Sequence, residues 1–118
     1  MAKVLIVDDA EFLRVQLSKI LGANGHKVFQ AENGIRAVAA YKEIHPDIVL
    51  MDVIMPFMDG LTALKEIVSF DPQARVVMLT ALGQELVALE AVKLGARDFV
   101  IKPFERDRVM KAVGKVLG

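Results

Sequence analysis

The chain has 118 residues and a mass of 13.0 kDa, which suits one compact domain and leaves no length for a second. Its 15 Lys and Arg residues balance its 15 Asp and Glu residues, and this zero net charge argues against a general binder of nucleic acid or anionic membranes. Hydrophobic residues make up 54% of the chain, ample for a core, and cysteine is absent, which excludes disulfides, thiolate catalysis and cysteine-based zinc sites.

Five short apolar runs recur along the chain at nearly even spacing and predict β-strands. They are rich in β-branched residues and nearly continuous, which is typical of strands buried on both faces of a parallel sheet. In chain order the runs are VLIV (4–7), VF (28–29), IVLM (48–51), VVML (76–79) and FVI (99–101).

The segments between these runs carry helical periodicity. Apolar residues recur at helical spacing at Leu13, Leu17, Ile20 and Leu21; Ala37, Val38, Tyr41 and Ile44; Leu61, Leu64, Ile67 and Val68; and Val109, Val113, Val116 and Leu117. The first three helices are expected to end at Gly22, at residues 45–46 and before residues 71–72. A further helix is predicted between Gly83 and Leu94.

Five strand–helix units in 118 residues average about 24 residues each, near the minimum for a crossover connection. The sequence therefore predicts one open, doubly wound α/β domain over residues 1–118. Ligand sites in such sheets lie beyond the carboxyl ends of the strands. The polar residues that directly follow the apolar runs are Asp8, Asp9, Asp52, Thr80 and Lys102.

Three of these residues are carboxylates that would share one edge of the sheet. Like charges held close together are costly unless a cation joins them, and Mg²⁺ prefers carboxylate and phosphate oxygens. Asp52 interrupts the apolar stretch 48–55, where a structural residue would be apolar. Lys102 can neutralise a carboxylate and bind a phosphoryl oxygen, and the Thr80 hydroxyl can donate a further hydrogen bond. Together these side chains predict phosphoryl transfer to an aspartate.

Short motifs at characteristic spacings cover nearly the whole chain. They are VLIVDD (4–9), PDIVLMD (46–52), MP (55–56), MDG (58–60), LTA (79–81), GA (95–96) and KPF (102–104). Each motif alone is weak, but in this order they resemble the receiver domain of the two-component response-regulator family, and most closely its single-domain chemotaxis regulators. The resemblance implies a (βα)5 flavodoxin-like fold with strand order 2-1-3-4-5.

The resemblance also implies a role for each residue of the predicted site. Asp52 would be the phosphorylated residue, and Lys102 would pair with the phosphoryl group. Mg²⁺ would bind Asp9, Asp52 and the backbone carbonyl of Ile54, with Asp8 acting mainly through water.

A conformational switch is implied as well. Thr80 would move towards the phosphoryl group, Phe99 would be the aromatic side chain that senses the movement, and the peptide before Pro103 would be cis. Ile54 and Leu82 are apolar where many relatives have polar side chains, which predicts slow hydrolysis of the phosphorylated form.

The predicted helix between residues 83 and 94 is apolar on two sides. One stripe, suited to packing on the sheet, contains Val87, Ala91 and Leu94. Leu86, Leu89 and Val92 form a second stripe, and Phe99 of the next strand would lie beside it. We predict that these four residues, with the start of the last helix, form a partner or dimer surface controlled by phosphorylation. The alternative is that one or more of these side chains packs against a neighbouring helix.

The sequence thus favours a signalling switch that catalyses only its own phosphorylation and dephosphorylation. A sensor histidine kinase would donate the phosphoryl group, and the flagellar motor switch is a candidate downstream target. The alternatives are a phosphorelay intermediate and a receiver fragment of a larger DNA-binding regulator. A haloacid-dehalogenase-like phosphatase is disfavoured, because such enzymes typically place an Asp-x-Asp pattern after the first strand.

Neither a membrane nor nucleic acid is an expected direct partner. The longest apolar runs have about four residues, far short of the ~20 that a membrane helix needs. The first seven residues contain too short an apolar run for a signal peptide. A cytoplasmic location is expected.

Overall fold

A computed structural model describes all residues from 1 to 118 and shows five strands alternating with five helices. The elements are β1 (Lys3–Val7), α1 (Glu11–Ala23), β2 (Lys27–Ala31), α2 (Gly34–Ile44), β3 (Ile48–Asp52), α3 (Gly60–Phe70), β4 (Val76–Ala81), α4 (Glu85–Lys93), β5 (Asp98–Lys102) and α5 (Arg106–Leu117). None of the helices combines the length and the apolar character that crossing a lipid bilayer requires.

All five strands are parallel and lie in the order β2-β1-β3-β4-β5. Val7 lies opposite Met51, so the residues that follow each of them, Asp8 and Asp52, lie side by side at the carboxyl edge of the sheet. On the other flank of the sheet, Ala81 at the end of β4 lies opposite Lys102 at the end of β5. The predicted fold class and strand order are confirmed.

Helices cover both faces of the sheet. Alternate strand residues such as Leu5 and Met51 belong to a core cluster of 18 buried residues, which includes residues of α2, α3 and α4. The intervening residues, such as Ile6 and Leu50, belong to a second cluster of 12 buried residues, which includes residues of α1 and α5. Because β1, β3 and β4 are buried on both faces, each contains a run of four consecutive apolar residues.

The first helix does not end at Gly22 as predicted but continues to Ala23. Gly22 is exposed and fits the helix without strain, whereas Gly25 has a φ of +86° and reverses the chain into β2. The ends of α2 and α3 agree with the prediction. His45 stops α2 in the left-handed region at a φ of 51°, and Pro46 follows it.

Candidate functional site

Three carboxylates converge at the carboxyl edge of the sheet. Asp8 and Asp9 follow β1 and Asp52 ends β3, and one carboxylate oxygen from each lies within 4.8 Å of the others. Asp8 and Asp52 are buried, whereas Asp9 is exposed to solvent. The three side chains that the sequence singled out as a metal site are therefore close enough to share one ion.

A single lysine reaches this acidic cluster from β5. The Nζ atom of Lys102 lies 2.8 Å from Oδ2 of Asp8 and 3.3 Å from Oδ1 of Asp52. The peptide between Lys102 and Pro103 is cis, as the family resemblance implied. One positive charge thus faces three negative ones, and the cluster keeps a net negative charge.

The pKa values of the cluster reflect this imbalance. Burial raises the pKa of Asp52, the charge of Asp8 raises it further, and Lys102 opposes both effects. Burial alone would lower the pKa of Lys102, but its hydrogen bond to Asp8 and the charge of Asp52 raise it above the ordinary value. Lys102 therefore stays protonated. A hard divalent cation with oxygen ligands fits the remaining negative charge, so the side chains present are suited to Mg²⁺.

Thr80 is fully buried at the end of β4, but its hydroxyl is not directed at the carboxylates. Its Oγ1 donates a hydrogen bond of 3.2 Å to the backbone carbonyl of Gln84, the residue that precedes α4. The Gln84 side chain closes the same turn by accepting a bond of 3.3 Å from the backbone N–H of Ala81. This contact of Gln84 could not be predicted from the sequence, because the spacing between Thr80 and Gln84 carries no signal of it.

Two apolar side chains border the site. Ile54 lies on the loop after Asp52 and is 59% exposed, and Leu82 lies on the loop after Thr80 and is 75% exposed. The backbone at the end of β3 is tightly packed, because a Cβ atom on Gly60 would lie 2.1 Å from the carbonyl oxygen of Asp52. The amino end of α3 therefore holds the end of β3 in place.

The second apolar stripe of α4 faces solvent. Leu86 is 82% exposed, and Leu89 and Val92 are also exposed, so none of the three is buried against a neighbouring helix. The buried side of α4 is formed mainly by Ala88 and Ala91. The role of the exposed stripe in binding a partner stays a prediction.

Phe99 lies on β5, and its backbone carbonyl faces α5. Its side chain is half-buried and packs against the larger core cluster. A groove of about 310 Å³ is lined by Phe99, Ile101, Pro103, Phe104, Glu105 and Arg108. Arg108 of α5 donates a 2.8 Å hydrogen bond to the carbonyl of Phe99, which ties α5 to β5.

The chain is similar to known proteins over nearly its whole length. Residues 4–114 match the response regulator receiver domain. The chain is 52% identical over 116 residues to the chemotaxis protein CheY of Bacillus subtilis, covering 98% of this chain and 97% of that one. It is 49% identical over 115 residues to the chemotaxis protein CheY of Thermotoga maritima, covering 97% and 96%. It also matches a chain in the crystal structure of a CheX–CheY–BeF3–Mg²⁺ complex from Borrelia burgdorferi, with a TM-score of 0.94, 40% identity and 98% and 89% coverage.

The chain therefore belongs to the response regulator receiver domain family. Receiver domains of this type are phosphorylation-dependent signalling switches rather than enzymes that act on separate substrates, and they bind Mg²⁺. The resemblance of the sequence to a receiver domain is confirmed.

Proposed function

We propose that this protein is a switch of a chemotaxis system, in which Asp52 accepts a phosphoryl group from a sensor histidine kinase in the presence of Mg²⁺. The observation that carries the proposal is the position of Asp52 beside Asp8, Asp9 and Lys102 at the carboxyl edge of the sheet. The full-length similarity to chemotaxis regulators supports the cellular process.

In the proposed reaction, a carboxylate oxygen of Asp52 attacks the phosphorus of a phosphorylated imidazole. The new P–O bond forms as the P–N bond breaks, and the leaving imidazole nitrogen takes a proton from solvent. Lys102 balances part of the negative charge on the phosphoryl oxygens. Asp9, Asp52 and the carbonyl of Ile54 would hold Mg²⁺, with Asp8 acting through water. The cation neutralises charge on the phosphoryl group when it is bound.

The hydrogen bond between Thr80 and Gln84 would link phosphorylation of Asp52 to a change at the surface of α4. The Gln84 carbonyl that accepts the Thr80 hydroxyl also accepts backbone bonds from Val87 at 3.1 Å and Ala88 at 3.2 Å in the first turn of α4. A Thr80 hydroxyl that turns to a phosphoryl oxygen on Asp52 must leave this carbonyl. We infer that the loss of the contact shifts the start of α4, and that the face of α4, β5 and α5 carries the signal to a partner.

Intact-mass measurement after incubation with acetyl phosphate and Mg²⁺ tests the phosphorylation site. Wild type should gain one phosphoryl group, and Asp52→Asn should gain none. Asp59→Asn is the matched control, because it removes the same charge from the loop after β3 while an asparagine can still cap α3 as Asp59 does. Labelling of Asp52→Asn at the wild-type level would contradict the assignment.

The output surface is tested with a pair of valines. Val92 on α4 and Val15 on α1 are 41% and 40% exposed, so Val92→Asp and Val15→Asp place the same charge at equally exposed sites on different faces. Val92→Asp and Leu89→Asp should abolish binding of the phosphorylated protein to the motor-switch protein of the same genome, or its phosphorylation-dependent self-association. Val15→Asp should preserve both. Unchanged binding in all three variants, or unfolding of Leu89→Asp, would contradict this surface.

A further inference from the structure

Arg14 of α1 is part of a closed hydrogen-bonded circuit behind the acidic cluster. Its Nη1 donates to the backbone carbonyl of Asp8 at 2.6 Å, and its Nε donates to Oε1 of Gln30 on β2 at 3.1 Å. Gln30 in turn donates to the hydroxyl of Ser18 at 3.1 Å, and that hydroxyl donates to the carbonyl of Arg14 at 2.6 Å. Arg14 forms no ion pair with any carboxylate side chain. One hydrogen bond of its guanidinium therefore holds the Asp8 carbonyl, and the other holds the guanidinium itself against β2.

The carbonyl that Arg14 holds belongs to the peptide that joins Asp8 to Asp9. The atoms of a peptide unit lie in one plane, so a hydrogen bond that fixes the orientation of this carbonyl also fixes the position of the Asp9 Cα atom. Asp8 is held independently, since its carboxylate accepts bonds from Lys102 and from the backbone N–H of Ala10 at 2.8 and 2.9 Å. The Asp9 side chain is exposed and has no hydrogen bond or ion pair of its own. Its direction depends on the backbone that carries it.

We propose that Arg14 is a positioning residue for the divalent cation: by holding the Asp8–Asp9 peptide, it directs the Asp9 carboxylate into the acidic cluster. The inference rests on the proposed function, because it takes Mg²⁺ as the ligand of the cluster. Arg14 would act through Asp9, since its guanidinium bonds to the Asp8 backbone and to Gln30 and to no carboxylate of the cluster.

Charge and geometry predict opposite effects for the loss of Arg14. A positive charge near a cation site weakens cation binding, so removing the guanidinium would tighten Mg²⁺ binding if Arg14 acted only through its charge. If Arg14 positions Asp9, its removal weakens Mg²⁺ binding, because the exposed carboxylate loses its fixed direction. The sign of the change in affinity therefore separates the two effects.

The experiment is a calorimetric titration of the full chain with Mg²⁺, together with thermal unfolding in the absence of metal. Arg14→Gln should weaken Mg²⁺ binding roughly tenfold, the lower end of the effect typical of residues that orient metal ligands. Arg14→Lys, which keeps the charge but cannot bridge Asp8 and Gln30, should show an intermediate loss. Arg36→Gln is the matched control. Arg36 lines the same small cavity as Arg14 but pairs only with the exposed Glu32.

A double-mutant cycle with Asp9→Asn distinguishes positioning from general destabilisation. In the Asp9→Asn background, Arg14→Gln should cause no further loss of Mg²⁺ affinity, whereas a destabilised fold would lower affinity in both backgrounds. Tighter or unchanged Mg²⁺ binding in Arg14→Gln, or an equal loss of affinity in both backgrounds, would overturn the positioning role of Arg14 and leave the proposed metal site intact. Failure of wild type to bind Mg²⁺ would overturn the proposed metal site and the inference with it.

Discussion

At the carboxyl edge of the sheet one lysine pairs with two of three clustered carboxylates, whereas at the amino edge the polar groups at the ends of α2 and α3 have partners of their own. There the hydroxyl of Tyr41 donates a 2.7 Å hydrogen bond to Asp71. The Tyr41 ring packs edge-on against Phe70 with centroids 6.3 Å apart, and the His45 ring lies 5.8 Å from that of Phe70. The polar groups at the amino edge of the sheet are therefore individually paired, whereas the carboxylates at the carboxyl edge outnumber their cationic partner.

The pKa values of one aspartate at each edge show the difference. Hydrogen bonds from the Tyr41 hydroxyl and from the backbone N–H of Gln73 lower the pKa of Asp71, so its ionised form is favoured in the folded state. Burial and the charge of Asp8 raise the pKa of Asp52, so its ionised form is penalised. A buried carboxylate whose ionised form is penalised, as in Asp52, is typical of functional sites. We infer that the carboxyl edge keeps unbalanced negative charge because it must receive a cation, while the amino edge serves stability.

The largest expected effect follows from the close packing at the carboxyl edge. Gly60→Ala places a Cβ atom 2.1 Å from the carbonyl oxygen of Asp52 and 2.9 Å from the Cα of Val53, so the backbone must move. We expect a loss of about 3 kcal/mol in the free energy of unfolding, measured with urea, and weaker Mg²⁺ binding. Gly114→Ala in α5 is the control, because open space surrounds that position. It should stabilise the protein by roughly 0.5–1 kcal/mol, and equal effects at the two glycines would contradict the packing argument.

The apolar residues beside the site should control the lifetime of the phosphorylated form. Ile54→Asn combined with Leu82→Glu introduces polar groups that can orient a water molecule, and it should speed hydrolysis about tenfold or more. Decay is followed by intact mass after removal of the phosphodonor. Ile35→Asn on α2 is a control of similar exposure, 53% against 59% for Ile54, and should leave the rate unchanged. A double variant that decays no faster than wild type would rule out shielding by these side chains.

A smaller effect, with a defined pH dependence, is expected at the amino edge. Tyr41→Phe removes only the hydroxyl and should lower the free energy of unfolding by about 1 kcal/mol at pH 7. Because the folded pKa of Asp71 lies below its ordinary value of 3.8, ionised Asp71 stabilises the fold above that value, and this stabilisation is lost as the pH falls through the folded pKa. The cost of Tyr41→Phe should therefore shrink below about pH 4. In an Asp71→Asn background the cost should not vary with pH, and a pH-dependent cost there would assign the effect to another group.

Much of this architecture could be predicted from the sequence for definite physical reasons. Strands buried on both faces leave continuous apolar runs, as in β1 and β3, and parallel strands bring the residues that follow them to one edge. The acidic cluster was therefore predictable. The edge strand β2 is less distinct, since it begins at Lys27 and contains the exposed Gln30. The apolar run predicted only two of its five residues, Val28 and Phe29.

The remaining contacts depend on tertiary packing or on the geometry of one turn, and hydrophobic periodicity encodes neither. The Arg14 circuit exists because α1 packs beside β2, which brings Arg14 and Gln30 together across 16 residues of sequence. The Thr80 hydroxyl points to Gln84 because a tight turn brings that carbonyl close, and a side-chain rotamer is not specified by hydrophobic periodicity.

Thermal unfolding of wild type and Asp52→Asn with and without Mg²⁺ tests most directly whether the acidic cluster is a cation site whose crowded charges destabilise the metal-free protein. Without Mg²⁺ at pH 7, Asp52→Asn should unfold at a higher temperature than wild type, since burial and the charge of Asp8 penalise the ionised carboxylate that the substitution removes. Saturating Mg²⁺ should raise the Tm of wild type and have much less effect on Asp52→Asn. An Asp52→Asn protein that is no more stable than wild type without Mg²⁺, or that responds equally to Mg²⁺, would contradict the account.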